Sequence, residues 1–446
     1  MELEEAKEHY CADFERFKRE AVRNGGSWTT PLRKAAISRF AEIGLPTTRD
    51  EEWKYTSIAP IAKVRFGHAS SKPAGVKPGI LATVMFGELT KHQLVFVNGH
   101  YSERLSSLVS LPQGVKVGSL AAAIVSHPTV VEAYLGRYAG YQNRAFVALN
   151  TAFMEDGAFV HVSKGRVIDE PIHLLFISTS EGEATVSYPR NLIVLDSDSQ
   201  ATIIESYAGP AGQSYLTNGV TEVVVGENAL LDHCKLERES ERAFHVATLE
   251  GRLNRSSQFV SHSIALGGTW VRNDVNVALD GEGSDCTLNG LYMGGGERHI
   301  DNHTRIDHVK PHCTSRELYK GVLDGKSKAV FSGKIVVWKD AQKSDAKQTN
   351  KNLLLSQEAS IDTKPQLEIF NNDVKCTHAS TIGRLDEDAV FYLRSRGIDL
   401  EGARSLLTYA FASEVVSPIK VAPVRAELDR LLMMRFEKGS HAEERQ

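Results

Sequence analysis

The chain has 446 residues, of which 41% are apolar and 24% are charged. This composition is ordinary for a soluble globular protein, and the length predicts two or three structural units. Lysine and arginine total 52 and the acids total 56, so the net charge of −4 excludes a general affinity for nucleic acid or an acidic membrane. No apolar run approaches the roughly 18 residues that a membrane-spanning helix needs.

The cysteine content predicts a reducing compartment. The five cysteines are odd in number, the closest two in sequence are Cys286 and Cys313, and there is no CxxC motif. A disulfide framework or a local zinc or cluster site is therefore not expected, and any metal ligands must be distant in sequence or come from a partner. Because the acidic start of the chain is unlike a secretory signal, we expect a cytoplasmic protein.

Residues 1–150 are predicted to form a helical and mixed N-terminal region. Tyr10, Phe14 and Phe17 share one helix face, the glycines at 25 and 26 end that helix, and Pro31 begins a second one. The two helices are expected to pack on each other or on the main body. A partner-binding arm is the alternative.

Residues 151–382 are predicted to form a β-helix. Short runs rich in Val, Ile and Thr alternate with polar turns, and small residues recur at Ala201, Ala229, Ser257 and Ser284, in steps of 28, 28 and 27. Similar turns follow near 325–329 and 355–359, where the step is lost. A period in the twenties built of strands indicates a solenoid whose turns pair with their neighbours. A large β-sandwich is the structural alternative.

Residues 383–446 are predicted to form a C-terminal helical domain. The acids at 386–388 favour a helix start, Gly397 favours its end, and two further amphipathic stripes follow. Such a thin layer of helices either caps the open end of the coil or provides a docking platform for another protein.

One candidate metal site consists of His299, Asp301 and His303. Their spacing puts all three on one face of a strand, and these residue types suit zinc or iron. The alternative is a hydrogen-bonded structural or interface ladder. The stretch at 321–327 resembles a phosphate-binding loop but has one residue too few between its glycines, so no nucleotide site is predicted.

A second candidate site is the pair Cys376 and His378. Two residues apart on a strand, they face the same side, where the pair could receive sulfur or help to hold iron. A neighbouring imidazolium would favour the reactive thiolate. The alternative is a packed thiol beside a structural histidine.

Several separate motifs give the chain a resemblance to a known family. They are Asp50-Glu-Glu-Trp-Lys-Tyr-Thr56, Phe331-Ser-Gly-Lys-Ile335, the segments 340–356 and 363–369, Asp373-Val-Lys-Cys-Thr-His378, and the segment 391–398. In this order they resemble the SufB/SufD family of the SUF iron–sulfur cluster assembly system. The first motif is similar to the SufD branch. The residue after His378 is Ala379 instead of the Glu of the SufB branch, which also favours SufD, although that branch usually has Gly there.

The resemblance implies both a fold and a function. The fold is mainly β, with a right-handed parallel β-helix flanked by N- and C-terminal helical regions. The chain is expected to be a non-catalytic scaffold that pairs with SufB through the end of its β-helix and docks the ATPase SufC, which hydrolyses the ATP. Docking is assigned to Arg394, Arg396, Gly397 and Phe411. A transient iron–sulfur cluster forms at the SufB junction, at Cys376 and His378, and the chain alone binds no stable cofactor.

Two other functions remain open from the residues. One is a β-helix carbohydrate-active enzyme with a groove on the face of the coil. The other is a stand-alone metal-binding protein that uses His299, Asp301 and His303, with His378 as a further candidate ligand. The isolated chain could also form a homodimer.

Overall fold

A computed structural model describes residues 3–21, 28–69, 86, 89, 91–180 and 182–439. Two sheets of eleven strands each form a parallel β-solenoid of about 8 turns, with helices before and after it. The chain is 26% helical and 40% strand. The prediction of a β-helix between helical regions is thus confirmed.

The helices occur in an N-terminal and a C-terminal group. They are α1 Leu3–Ala21, α2 Thr29–Ile43, α3 Ala59–Ala62, α4 Leu120–Ser126, α5 Pro128–Tyr134, α6 Ala145–Phe153, α7 Glu387–Ser395, α8 Leu400–Val416 and α9 Ala422–Gly439, with short 3₁₀ turns at Glu51–Trp53 and Glu103–Leu105.

The first strands are short. They are β1 Gly67–His68, β2 His92–Val97, β3 His100–Tyr101, β4 Ser107–Leu108, β5 Val115–Ser119, β6 Ala158–Val162, β7 Ile172–Ile177, β8 Thr185–Ser187 and β9 Arg190–Leu195. Strands β2 to β5 join the two sheets, which therefore extend into the N-terminal region that was predicted to be helical and mixed.

The later strands form the regular part of the coil. They are β10 Gln200–Ala208, β11 Tyr215–Val225, β12 Leu230–Arg238, β13 Phe244–Leu253, β14 Gln258–Ala265, β15 Trp270–Leu279, β16 Asp285–Gly294, β17 His299–His308, β18 Thr314–Leu323, β19 Lys328–Val337, β20 Asp345–Leu354, β21 Ser360–Ile369 and β22 Lys375–Gly383. The odd-numbered ones follow one another in sheet one and the even-numbered ones in sheet two.

The sequence repeat corresponds to one corner of the coil. Backbone hydrogen bonds from each turn to the previous one align Ser199, Ala229, Ser257, Ser284, Cys313 and Ser344. Ser199 therefore belongs to this column, and the sequence assignment of Ala201 was wrong. The turns at 325–329 and 355–359 lie at another corner, before β19 and β21, which is why the regular step was lost there.

The same corner contains a column of residues with left-handed backbone. Asp198, Asn228, Ser256, Gly283, His312 and Lys343 all have φ between 53° and 69°. Each of these six N–H groups donates to a carbonyl oxygen of the following turn, at 2.7–3.0 Å. The corner backbone therefore continues the hydrogen bonding of the sheets from turn to turn.

The three largest apolar clusters among the described residues hold the coil and its helices together. The inward side chains of both sheets fill the solenoid. The N-terminal helices pack on the outer face of sheet one, which confirms that the predicted helical pair docks on the main body. Helices α8 and α9 pack on the outer face of sheet two, against residues such as Leu291, Met293 and Val322. They cover a flank of the coil, so the alternative of a lid over its open end was wrong.

The turns approach each other so closely at the corner that Gly281 leaves no room for a side chain. A Cβ added at Gly281 would lie 2.0 Å from the backbone nitrogen of Arg255, and a backbone clash cannot be relieved by rotating a side chain. We expect Gly281→Ala to lower the free energy of unfolding by about 2 kcal/mol or more, as overpacked sites do. Denaturant titration measures this effect.

The matched control is Gly118→Ala in β5, where an added Cβ would have no described atom within 4 Å. This control should leave the unfolding free energy nearly unchanged. Equal stabilities of the two variants would contradict the close corner packing.

Candidate functional site

The candidate Cys–His pair lies on the last strand of the solenoid. Strand β22 pairs in parallel with β20, placing Cys376 beside Ala346 and His378 beside Gln348. Within the described residues, no further strand follows β22 in sheet two or β21 in sheet one. As a consequence Cys376 is half-buried, and His378 and the rest of the strand are largely exposed. The end of the coil thus presents both side chains at an unpaired sheet edge.

Cys376 packs inward against the apolar interior of the solenoid. Burial raises the pKa of its thiol, and a backbone hydrogen bond from Ala346 offsets this only in part. The free chain therefore favours the neutral thiol over the thiolate. Burial, and not the neighbouring imidazolium expected from the sequence, therefore dominates the pKa of this thiol.

Apolar side chains accompany this open end. Trp338, Ile369, Phe370 and Ile382 are exposed on the last turns. The rings of Trp338 and Phe370 lie 6.2 Å apart. Exposed aromatic and aliphatic groups beside an unpaired edge are features of a protein–protein contact.

A polar layer lies inside the coil directly beneath His378. Glu317 of β18 pairs with Gln348 of β20, and both side chains are buried. The Gln348 Nε2 donates to Glu317 Oε2 at 2.7 Å. Burial raises the pKa of Glu317 to about 7 despite this hydrogen bond. This pair was not predicted from the sequence, although the inward parity of the two strands could have identified it.

The other candidate site forms a fastening between two parts of the fold. The carboxylate of Asp301 accepts hydrogen bonds from Arg272, at 2.7 Å, and from the Thr56 hydroxyl, at 2.6 Å. The Thr56 hydroxyl is also 3.0 Å from His299 Nε2. The Nε2 atom of His303 lies 3.0 Å from a carboxylate oxygen of Asp301, and its Nδ1 atom lies 3.2 Å from a carboxylate oxygen of Glu52.

This network does not have the geometry of a metal site. Among the described residues, no group of three or more His, Cys, Asp or Glu side chains is arranged to hold a metal ion. An arginine already occupies the cationic position beside Asp301. The geometry favours the alternative of a hydrogen-bonded structural ladder.

The charges in this ladder reinforce each other. Burial alone would lower the pKa of His303, but the Asp301 charge and hydrogen bonds to Asp301 and Glu52 outweigh it and raise that pKa to about 9. Burial likewise opposes ionisation of Asp301, yet His303 and Arg272 hold its pKa well below the usual value. The imidazolium is thus part of the folded state at neutral pH.

The segment 50–57 supplies the N-terminal half of this network. We call the whole network the clasp: it consists of residues 50–57 together with Arg272, His299, Asp301 and His303. The Trp53 ring stacks with those of Phe146 and Trp270, and the Arg272 guanidinium lies over it, 3.9 Å from its centre. The Ser57 carbonyl accepts from the Trp270 indole. The motif that resembled the SufD branch therefore holds the N-terminal region to sheet one.

The predicted docking residues lie in two different environments. Arg394, Arg396 and Gly397 are exposed at the end of α7. Phe411 of α8 is half-buried, and its carbonyl accepts from Lys320 of β18 at 2.8 Å. Lys320 also pairs with Glu414, which lies 3.8 Å from Lys351 of β20. Phe411 thus belongs to the contact between α8 and sheet two.

A parallel β-solenoid with helices before and after it defines the fold class of this protein. Comparison with known sequences gives the family. Residues 176–411 match the model described as "SUF system FeS cluster assembly, SufBD core domain", and residues 4–174 match the "SufBD protein N-terminal region". The chain belongs to the SufBD family of iron–sulfur cluster assembly proteins.

Curated relatives agree with this assignment. The iron–sulfur cluster assembly SufBD family protein slr0076 of Synechocystis is 34% identical over 90% of each chain. The iron–sulfur cluster assembly protein SufD of Escherichia coli is 31% identical over 93% of this chain and 95% of its own length. SufD of Bacillus subtilis is 27% identical over 71% of this chain and 72% of its own.

Among the residues that the structure describes, no helix has the length and apolar character needed to cross a membrane.

The clasp makes stability depend on pH. His303 has a pKa of about 9 in the folded protein, against about 6.5 when unfolded. The charge of His303 therefore stabilises the folded state fully below pH 6.5. This contribution to the free energy of unfolding is lost as the pH rises through 9. We expect the stability advantage of wild type over His303→Gln to shrink by on the order of 3 kcal/mol across this range. Denaturant titrations between pH 6 and 9.5 measure it.

Thr56→Val is the control, because it removes a neutral member of the same network. Its stability deficit should stay nearly constant with pH. Parallel pH profiles for wild type and His303→Gln would contradict the charged clasp.

Proposed function

We propose that this chain is the scaffold subunit of a cytoplasmic SufB–SufC–SufD complex. It pairs with SufB through the open end of its solenoid, and it docks SufC through its C-terminal helices. A nascent iron–sulfur cluster forms transiently at Cys376 and His378. The observation that carries the proposal is the Cys–His pair on an unpaired edge strand. The chain itself is non-catalytic, and SufC hydrolyses the ATP.

The edge supports pairing with a related solenoid. One side of β22 is bonded to β20, while the backbone groups of its other side have no strand to bond to within the described residues. An edge of this kind adds a strand from another chain. A sister subunit with the same strand spacing provides such a strand and also covers the exposed Phe370 and Ile382. In the absence of SufB, a second copy of this chain could take that place.

The chain supplies only part of a cluster site. Cys376 and His378 are two ligands of types that suit iron, and iron–sulfur clusters use cysteine thiolates and in some cases histidines. The remaining ligands must then come from the partner. Because burial raises the pKa of Cys376, its thiol needs a nearby positive charge, such as a bound iron ion, to release its proton.

The C-terminal helices connect the proposed SufC docking surface on α7 to the end of the coil that contains β22. Phe391 and Tyr392 of α7 are 73% and 57% exposed, beside the cationic Arg394. Behind them, Glu414 of α8 binds Lys320 and Lys351, on two strands of the sheet that ends in β22. A displacement of the helices by SufC would therefore act on the turns beneath the Cys–His pair.

The first test replaces the imidazole. In a complex formed by co-expression with SufB and SufC, His378→Ala should leave assembly intact, because an exposed side chain is removed. Iron and acid-labile sulfide per complex should fall about tenfold or more, as expected when a metal ligand or its support is lost.

The control is Thr377→Ala, which alters the next exposed residue on the other face of β22. It should retain normal cluster content. A full cluster yield from His378→Ala would refute the site.

The second test concerns SufC docking. The double variant Phe391→Ser and Arg394→Glu removes an exposed aromatic ring and reverses an exposed charge on α7. We expect SufC to be lost from the co-purified complex while SufB is retained, because exposed aromatic residues and arginines dominate such contacts.

The matched control is Val125→Ser with Arg104→Glu in the N-terminal region, where Val125 is also 73% exposed. This variant should keep both partners. Retention of SufC by the α7 variant would place the docking surface elsewhere.

A further inference from the structure

His378 continues a column of side chains that runs into the solenoid. Strand register places Glu317 beside Gln348, and Gln348 beside His378, each one turn apart. Cys376 lies on the same face of β22 and packs on the interior. Since side chains alternate along a strand, His378 belongs to the inward-facing set and is exposed because its turn is the last one.

Gln348 has a free hydrogen-bonding atom at this level. Its Nε2 is engaged by Glu317 at 2.7 Å. Its Oε1 is buried and has no hydrogen-bond partner among the described residues. A buried unsatisfied acceptor is costly, so its presence in a fully buried side chain requires an explanation.

The fold holds this amide in place. A Cβ at Gly333 of β19 would lie 2.3 Å from the Gln348 Nε2, so the side chain spans the interior and reaches the facing sheet. Thr304, the register partner of Gly333, lies near Glu317, where its hydroxyl lowers the carboxyl pKa. Neither contact uses the amide oxygen. The next residue after Gln348 along the column is His378.

We propose that Gln348, anchored by Glu317, is a positioning residue for His378. The structure shows no hydrogen bond between this oxygen and His378. When the exposed imidazole turns toward Gln348, the amide oxygen accepts the N–H of one ring nitrogen, which fixes one tautomer and leaves the opposite nitrogen bare. Metal-binding histidines commonly donate their second nitrogen to such an acceptor, which orients the ring and raises its basicity. Only the use of the bare nitrogen for iron rests on the proposed function.

Two nearly isosteric replacements test the positioning. Gln348→Met removes the acceptor, and Glu317→Met removes its anchor while leaving the glutamine in place. Asn350→Leu is the matched control, because it deletes a buried amide on the same strand, one inward position away. Its amide group donates to Tyr292 and Tyr319 and accepts from Asn352 and Thr363. Urea titration of each variant shows which ones remain folded.

The direct readout is ¹⁵N NMR of the full-length chain labelled at histidine, with His378 assigned through His378→Ala. We expect a single neutral tautomer of His378 in wild type and Asn350→Leu. Gln348→Met and Glu317→Met should show the mixture typical of a free imidazole. A mixture in wild type, or an unchanged single tautomer in both folded Met variants, would overturn the positioning role.

Cluster content of the co-expressed complex separates this inference from the proposed function. We expect iron and sulfide per complex to fall about tenfold in Gln348→Met and to stay normal in Asn350→Leu. Normal content in folded Gln348→Met beside a loss in His378→Ala would refute the positioning role alone. Normal content in His378→Ala would refute the cluster site, whatever the tautomer shows.

Discussion

Hydrogen bonding from one turn to the next is the constraint on which this structure depends. Each turn satisfies its backbone groups only by pairing with its neighbours, and the corner residues extend the same bonding. A coil built in this way cannot close on itself, so its last described strand, β22, keeps an unpaired side. That open edge is where Cys376 and His378 are located. The same geometry that stabilises the scaffold thus exposes the groups proposed to act.

The repeating part of the fold was accessible from the sequence, because strands and turns recur along the chain. The spacing of the small corner residues predicted the β-helix, and the i, i+2 spacing of Cys376 and His378 predicted a shared face. The register was harder to predict, because successive turns differ in length. The small residue Ala201 was therefore taken for the corner residue, which is Ser199. A count of spacings cannot distinguish two small residues that are so close together in the chain.

The parts that eluded the sequence depend on contacts between distant segments. His299, Asp301 and His303 have the spacing of metal ligands, yet Thr56 and Glu52, from a far earlier part of the chain, bind them in the clasp. The placement of the C-terminal helices depended on the apolar outer face of sheet two, which alternation alone did not reveal. The pairing of Glu317 with Gln348 depends on strand register, because the two residues are 31 positions apart in the chain.

The central claim is that a SufB strand covers the free side of β22. Hydrogen–deuterium exchange of the amides at 375–383 tests this most directly, with the chain measured alone at low concentration and then saturated with SufB. The account predicts that the amides on the unpaired side of β22 exchange rapidly in the free chain. These amides should become strongly protected when SufB binds, while exchange in the strands at the N-terminal end of the solenoid stays unchanged. Unaltered exchange across 375–383 in a chain that demonstrably binds SufB would contradict it.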